Sequence, residues 1–291
     1  MCFMVVKLED DYRDSFSDYS PETLRERMTS LAEDSTEFSD DGIENLLSEF
    51  VYALESGDIR SAEKLDGEWK ANAWVKKGIL TIFGQAENIE RNEGRAFHDV
   101  MPTRNVDRFL EKGARNTPGT TLRMGNFFGD GTTVMSEAYV NIGVYIGDGS
   151  MVDSNVTVGS CAQVGEDCHI GANTLIGGVL EPIEDEPVVI EDGASIGGGS
   201  VVTSGFKVGE NVEVAENTLL TPRIEVYDLV ESEVIRGEIP ANRRVFQRYV
   251  TSGLAEHELF QEEGKTPQKP VIVAIDKEED AVELEEELRM G

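Results

Sequence analysis

The chain has 291 residues, with 26 lysines and arginines against 57 aspartates and glutamates, which gives a formal net charge of −31. An acid excess of this size, spread through the chain, argues against proteins that bind nucleic acid or anionic membranes, because both partners are themselves negatively charged. With 39% hydrophobic residues the chain can bury a core, and its length allows one large domain with extensions or two to three smaller ones.

The acidity favours a protein adapted to a salty cytosol, since the Debye length falls to about 3 Å at 1 M salt and self-repulsion is then screened. An ordinary acidic protein is the alternative. Three cysteines without a CxxC pair argue against a disulfide framework and against a cysteine-based zinc site. The opening "MCFMVV" is too short for a signal peptide, and no run of about 20 apolar residues could span a membrane. We therefore expect a cytoplasmic protein with no bound metal.

Residues 1–118 are expected to form a mainly helical N-terminal domain. Ser20 followed by Pro21 is typical of a helix start. A second helix is expected to begin at Asp41 and to end at Gly57. Its apolar residues fall on one helical face, namely Ile43, Leu46, Leu47, Phe50 and Leu54.

Three further elements are expected before the middle of the chain. "EKLDGEWK" predicts a hairpin around Asp66 and Gly67. "AWVKKGILTIF" is compatible with either a helix or a strand. Val106, Phe109 and Leu110 favour a last short helix, which Gly113 would end.

Apolar residues recur at every sixth position through the middle of the chain. A first run comprises Leu122, Phe128, Val134, Val140, Ile146, Val152, Val158, Val164, Ile170 and Ile176. The phase then slips by two residues, and a second run comprises Ile190, Ile196, Val202, Val208, Val214 and Leu220. A period of six fits neither an α-helix nor a hairpin array. It is typical of a solenoid in which each six residues form one short strand and one turn.

These sixteen units make about five triangular coils. Smaller side chains follow several apolar positions by four residues and are expected beside them, namely Ser150, Ala162, Cys168, Thr174, Ala194 and Ser200. Glycine is expected at the turns, where a positive φ is inexpensive for glycine and less so for Asn or Asp. The expected fold class is therefore mainly β, a left-handed parallel β-helix of hexapeptide repeats over residues 119–225, with the α-rich domain before it.

The phase slip marks a loop insertion over residues 177–189, where "GGVLEPIEDEP" combines turn formers and acids. The repeat is expected to end near residue 225. Residues 226–291 then form a small C-terminal extension, with a strand at "KPVIVAI" and an acidic amphipathic helix from Ala281 to Leu288.

A hexapeptide fold alone does not define a function, because it hosts acyltransferases, a zinc carbonic anhydrase and structural repeats. A zinc hydratase is disfavoured, since His169 is the one histidine of three that falls in the repeat. His169 is a candidate general base. It directly precedes the inward Ile170 and should point outward, so a solvated surface histidine is the simpler interpretation.

One carboxylate stands out in the repeat. Glycine follows Val158, Val164 and Ile170, whereas Asp153 follows Val152. Asp153 is therefore either a turn-capping residue or a functional group.

Several motifs together resemble the tetrahydrodipicolinate N-succinyltransferase family of lysine and diaminopimelate biosynthesis. They are "AYVNIGVYIGDGSMVDSNVTVGSCAQVGEDCHIG", "IGGVLEP", "VVIEDGASIG", and upstream "SGDIRSAEKLDGEWKANAWVKKGIL", "RAFHDVMP" and "FLEKGAR". The repeat motifs also occur in the acetyltransferases that act on the same substrate. "AEKLDGEWKANAWVKK" is the segment characteristic of the succinyltransferases.

The resemblance implies transfer of a succinyl group from succinyl-CoA to the amine of ring-opened 2-amino-6-oxopimelate. It also implies a homotrimer with active sites in clefts between adjacent coils, and no permanently bound cofactor. By the same resemblance, Asp153 contacts the substrate amine and is needed for catalysis. Arg115, in "EKGAR", binds a substrate carboxylate, for which the forked guanidinium is well suited.

CoA phosphates or the succinyl carboxylate require cations in an acidic protein. "NRRVFQR" is the densest basic stretch, so Arg243, Arg244 and Arg248 are candidate CoA-binding residues. A solvated charged surface is the alternative.

The chain departs from the family pattern in one functional stretch. Many members have "ARSE" after the second "IG", with a catalytic glutamate, but this chain has "GGSV" and places Val201 at the glutamate position. Glu181 in the inserted loop is a possible substitute acid. An N-acetyltransferase on the same substrate and a non-catalytic hexapeptide scaffold are the alternative functions.

Overall fold

The structure is a computed structural model, and it describes residues 19–91, 97–104, 112–180, 183–253, 258–260 and 266–278. Both predicted N-terminal helices are confirmed. Helix α1 spans Pro21–Glu33, and the side chain of Ser20 caps it by accepting from the Thr23 N–H. Helix α2 spans Asp40–Ser56 and is capped by Ser39, so it begins one residue before the predicted start. Gly57 ends it with a φ of +82°.

The predicted hairpin is also confirmed. Strand β1 (Ala62–Leu65) pairs antiparallel with β2 (Glu68–Ala71). Asp66 and Gly67 both have positive φ in the turn between them, as a two-residue hairpin loop requires. "AWVKKGILTIF" lies in a helix, α3 (Ala73–Gln85). Strands β3 (Ile89–Arg91) and β4 (Phe97–Asp99) form a second small antiparallel pair.

Residues from 115 onward form a left-handed parallel β-helix with three sheet faces. The Tyr145 face consists of β7 (Phe127–Phe128), β10 (Tyr145–Ile146), β13 (Gln163–Val164), β16 (Val189–Ile190), β19 (Lys207–Val208) and β24 (Glu238–Ile239). The His169 face consists of β5 (Arg115–Asn116), β8 (Thr133–Val134), β11 (Met151–Val152), β14 (His169–Ile170), β17 (Ser195–Ile196), β20 (Glu213–Val214) and β25 (Arg243–Thr251). The Leu175 face consists of β6 (Thr121–Leu122), β9 (Tyr139–Val140), β12 (Thr157–Val158), β15 (Leu175–Ile176), β18 (Val201–Val202) and β21 (Leu219–Leu220).

The predicted register of the repeat is confirmed throughout. Met151 pairs with His169 and Val152 with Ile170, so one coil takes 18 residues. All sixteen predicted apolar positions are buried, and the most exposed of them, Val214, keeps 5% of its surface accessible. The smaller residues four positions later, from Ser150 to Ser200, are buried beside them. Each coil therefore shares one continuous apolar core with its neighbours.

Turn glycines with positive φ are confirmed, but they are not the glycines directly after the apolar positions. Positive φ occurs two residues later, at positions such as Gly149, Asn155 and Asn173. At Gly147 a Cβ atom would lie 2.6–2.8 Å from three backbone atoms of the next coil. Glycine is used there because adjacent coils approach too closely for a side chain, and not because the turn needs positive φ.

The repeat continues beyond residue 225, contrary to expectation. β24 pairs in parallel with β19, and β25 pairs in parallel with β20. Ile239 and Val245 are buried on the axis, six residues apart. The segment between Leu220 and Ile239 forms β22 (Val226–Asp228) and β23 (Glu233–Ile235), which pair antiparallel. The predicted "KPVIVAI" strand is confirmed as β26 (Gln268–Asp276), which pairs with β25 and β22.

The coil also begins earlier than expected, because β5 already pairs with β8. Gln163 pairs with Val189, eight residues more than one coil, which confirms that the phase slip is an insertion. The predicted short helix with Val106, Phe109 and Leu110, and the C-terminal helix from Ala281 to Leu288, lie outside the described residues.

The helices cover one corner of the coil. Their apolar core includes Met124, Ile142, Cys161 and Val179, which lie after the strands of the Leu175 face. The hairpin β1–β2 and its approach lie on the Tyr145 face, where the Arg60 guanidinium stacks on the Tyr145 ring at 3.5 Å and donates to Gln163. In the described part of the chain, this contact does not include the corner between the His169 and Leu175 faces.

Candidate functional site

Asp153 lies at that other corner, directly after β11. Its side chain is 31% exposed. The Ser154 N–H donates to its Oδ1 at 2.6 Å, and its Oδ2 lies 3.6 Å from Nε2 of His169 on the next coil. The carboxylate is therefore oriented by its own backbone, has one imidazole within 4 Å, and remains open to solvent.

Arg115 lies on the same side of the molecule. It points outward from β5, and its Nη2 reaches Met135 Sδ at 3.7 Å. Met135 occupies the corner position one coil before Asp153, because its N–H donates to the Val152 carbonyl. Arg115 and Asp153, which are 38 positions apart in the sequence, thus lie along one edge of the coil, with the cation two coils to the N-terminal side of the carboxylate.

A groove of about 400 Å³ begins at His169, beside Asp153, and runs toward the C-terminal end of the coil. Its floor is formed by small residues at the corner, namely Gly171, Gly197, Gly198 and Ala215. His169, Ser195 and Glu213 form one wall, and Glu216, Arg244 and Phe246 lie toward the far end. We call this the corner groove. Small residues keep it open because their side chains do not project into it.

Arg244 and Lys277 provide positive charge at the far end of the corner groove. Arg244 Nε donates to Glu213 Oε2 at 2.9 Å, and Lys277 Nζ lies 3.4 Å from Glu213 Oε1. Burial would raise the pKa of Glu213, but hydrogen bonds and charge from Arg244 and Lys277 outweigh burial and lower it. Glu213 is therefore held as a carboxylate, and two cations share it.

Arg248 lies beside this cluster, with its guanidinium 4.2 Å from the centre of the Phe246 ring. Arg243 is placed differently, because neighbouring residues of a strand point to opposite sides. Its guanidinium is almost completely buried and donates to both carboxylate oxygens of Asp228 at 3.0–3.1 Å. These contacts favour a structural role for Arg243. CoA binding by Arg243, Arg244 and Arg248 stays a prediction.

Val201, which the sequence motif places at the family glutamate position, lies on the Leu175 face. It pairs with Leu175 on one side and Leu219 on the other. The six outward residues of that face are uncharged, namely Thr121, Tyr139, Thr157, Leu175, Val201 and Leu219. Glu181, the possible substitute, lies outside the described residues.

Two acids in the corner groove, Glu213 and Glu216, were not singled out from the sequence. The 18-residue coil spacing is the signal that could have found Glu213, because it places this residue one coil after Ser195. His169 and Ser195 are 26 residues apart, since the insertion lies between them. Counting along the sequence therefore misses the column unless the insertion is subtracted.

A second cleft, of about 560 Å³, lies where α3 meets the coil. Leu80 and Phe83 of α3 face Leu175 and Leu180 across it. The Arg123 guanidinium in this cleft donates to Asp99 and Asn141. The second cleft is thus largely apolar, with its one arginine already engaged.

Family models match three parts of the chain. The tetrahydrodipicolinate N-succinyltransferase N-terminal model matches residues 23–84. The bacterial transferase hexapeptide model matches residues 143–178, and the hexapeptide repeat of succinyl-transferase matches residues 187–222. The matched regions correspond to the helices with the hairpin and to the two runs of the repeat.

Curated proteins are similar over most of their length. A 2,3,4,5-tetrahydropyridine-2,6-dicarboxylate N-succinyltransferase from Erwinia tasmaniensis is 37% identical over 228 residues, covering 76% of this chain and 82% of that protein. Proteins with the same name from Psychrobacter and Shewanella sediminis are 33% and 35% identical, covering 86% and 90% of their own lengths. These similarities show that the chain belongs to the 2,3,4,5-tetrahydropyridine-2,6-dicarboxylate N-succinyltransferase family.

Proposed function

We propose that this protein transfers a succinyl group from succinyl-CoA to the amino group of ring-opened tetrahydrodipicolinate, in lysine and diaminopimelate biosynthesis. The observation that carries the proposal is the alignment of Arg115, Asp153 and the corner groove along one edge of the coil. Family membership supports the reaction class.

The alignment matches what the two substrates require. Arg115 supplies a forked donor for a substrate carboxylate, and Asp153 lies two coils further on, where the amine would be held. From Asp153 to Arg244 the groove crosses four coil steps of about 4.8 Å, or about 19 Å. An extended pantetheine arm laid along the floor of small residues would place its phosphates near Arg244, Arg248 and Lys277.

The chemical step follows from this placement. Asp153 accepts a proton from the substrate ammonium group, which leaves a lone pair on nitrogen. The amine attacks the thioester carbonyl carbon, a C–N bond forms, and the C–S bond breaks as CoA leaves. The second nitrogen proton is lost as the amide forms, and the CoA thiolate takes up one proton. One proton is released per turnover.

A thiol-release assay in molar KCl tests the proposal. Purified protein is mixed with tetrahydrodipicolinate and either succinyl-CoA or acetyl-CoA, beside Asp153→Asn. The matched control is Asp130→Asn, an exposed aspartate at a different corner of the coil. We expect release from succinyl-CoA, a loss of at least about 100-fold in kcat for Asp153→Asn, and wild-type activity for the control.

The other outcomes decide between the alternatives. Preference for acetyl-CoA would assign the sister N-acetyltransferase activity, to which the uncharged Val201 would then be relevant. No thiol release from either thioester by a folded protein would favour the non-catalytic scaffold. Full activity of Asp153→Asn would leave Asp153 as a turn residue.

The proposal includes a homotrimer working in a salty cytoplasm. Leu175 and Leu219 are exposed on the Leu175 face, and the β-helix of a neighbouring subunit would cover them in a trimer. No helix in the described part of the chain is long and apolar enough to cross a membrane. Light scattering on the eluting protein tests the trimer. The salt adaptation predicts a urea unfolding midpoint that rises between 0.1 and 2 M KCl, about the range over which the Debye length falls from about 10 Å to below 3 Å.

A further inference from the structure

We propose that His169 is a positioning residue for Asp153, and that it holds the carboxylate in the orientation that receives the substrate proton. This inference rests on the proposed function. It concerns a histidine for which a solvated surface position was the simpler interpretation from the sequence.

The coil register places the two side chains side by side. β11 and β14 are neighbouring strands, and Met151 pairs with His169. Asp153 follows β11 at the corner, so the imidazole projects over it from the next coil, with Nε2 at 3.6 Å from Oδ2. Hydrogen bonds of catalytic groups are often long before substrate binds and shorten in the complex.

The two oxygens of Asp153 have separate partners. Oδ1 accepts from the Ser154 N–H, which fixes the plane of the carboxylate on one side. Oδ2 faces His169, which itself lines the corner groove. A neutral imidazole with its hydrogen on Nε2 would donate to Oδ2 and leave the remaining lone pairs of the carboxylate for the substrate ammonium.

Four charged side chains either approach His169 or line the same groove. Asp153 approaches from the preceding coil, while Glu213, Glu216 and Arg244 line the same groove on later coils. Ser195, the strand neighbour on the following coil, is uncharged. Glu213 is already engaged by Arg244, whereas the Asp153 carboxylate lies 3.6 Å from the imidazole.

Three variants test the inference. His169→Leu removes the donor, and His169→Gln keeps an amide N–H near the place of Nε2 without a titrating group. His98→Leu is the matched control, because His98 is an exposed histidine on β4, outside the corner groove. The measurements are kcat and KM for both substrates between about pH 5 and 8, the range in which histidine titrates.

We expect kcat of His169→Leu to fall about tenfold to a hundredfold, the range seen when an outer partner that orients a metal ligand is removed. The fold-change in kcat should exceed the fold-change in KM for succinyl-CoA, although His169 also lines the corner groove. His169→Gln should recover most of kcat and lose the part of the wild-type pH dependence that reports the imidazole. A kcat of His169→Leu within twofold of wild type, or equal loss in the Leu and Gln variants, would overturn the positioning role.

A spectroscopic measurement keeps the inference testable apart from activity. The chain has three histidines, so the ¹⁵N signals of His169 are assigned by their loss in His169→Gln. At pH 8 we expect the Nε2–H tautomer in the wild type and a mixture of tautomers in Asp153→Asn. Identical spectra would refute the contact even if the enzyme is active. A wild-type protein without thiol release would instead refute the proposed function and leave the contact standing.

Discussion

Replacing Arg243 by Met tests whether this arginine has a structural role or binds CoA. Its guanidinium makes three hydrogen bonds to the Asp228 carboxylate, whose side chain is 0% exposed. Replacing Arg243 by Met leaves this carboxylate buried beside an apolar chain, with the Val230 N–H as a remaining donor. Removal of one partner from a buried pair typically costs about 3–5 kcal/mol. The variant should therefore lose most of the stability of the C-terminal coils.

Urea unfolding followed by circular dichroism, at fixed KCl concentration, measures this loss. With a urea dependence of about 1–3 kcal/mol/M, the midpoint should fall by at least about 1 M. The double variant Arg243→Met with Asp228→Leu should recover most of it, because no charge then remains buried. Arg244→Met should change KM for succinyl-CoA more than stability, since its partner Glu213 is partly exposed.

Two results would contradict the structural role of the Arg243–Asp228 pair. An Arg243→Met protein that unfolds at the wild-type urea concentration, yet has a raised KM for succinyl-CoA, would show that the guanidinium serves CoA. Failure of the double variant to recover stability would show that the loss came from packing of the arginine stem and not from the uncompensated charge.

Two glycines and the buried cysteines give further predictions. Gly147→Ala should destabilise the protein by about 1–3 kcal/mol, since its Cβ would meet backbone of the next coil. Gly84→Ala in α3, where a Cβ meets nothing within 4 Å, should be neutral or stabilising by up to about 1 kcal/mol in the same urea experiment. Burial raises the pKa of the Cys161 and Cys168 thiols to about 11. In a Cys2→Ser protein, both should resist Ellman's reagent at pH 8 until urea unfolds the chain, and rapid native labelling would contradict their burial.

The architecture of the coil could be predicted because it depends on local periodicity. Each apolar residue from Leu122 to Leu220 needs one side-chain orientation, and a six-residue period repeats that orientation without knowledge of distant contacts. The same reasoning failed where the period was broken. Ile239 and Val245 lie six residues apart, but Ile239 follows Leu220 by 19 residues, which is not a multiple of six and hides their phase. Only pairing with β19 and β20 returns them to the axis.

The site could be predicted only in part from the sequence, for a related reason. Asp153 and Arg115 were named from motifs, yet their presence on one edge depends on how many residues each coil takes. The pairing of His169 with Asp153 arises between coils, so no local pattern contains it.

Arg243 and Arg244 show what tertiary structure alone decided. They are adjacent in a basic stretch and chemically identical, and the sequence offered both for the same task. Strand alternation turns one inward to Asp228 and the other outward to the corner groove. Composition and period determined that a β-helix with a basic C-terminal segment would form. Which of its arginines faces a ligand was decided by the direction each side chain takes from the sheet.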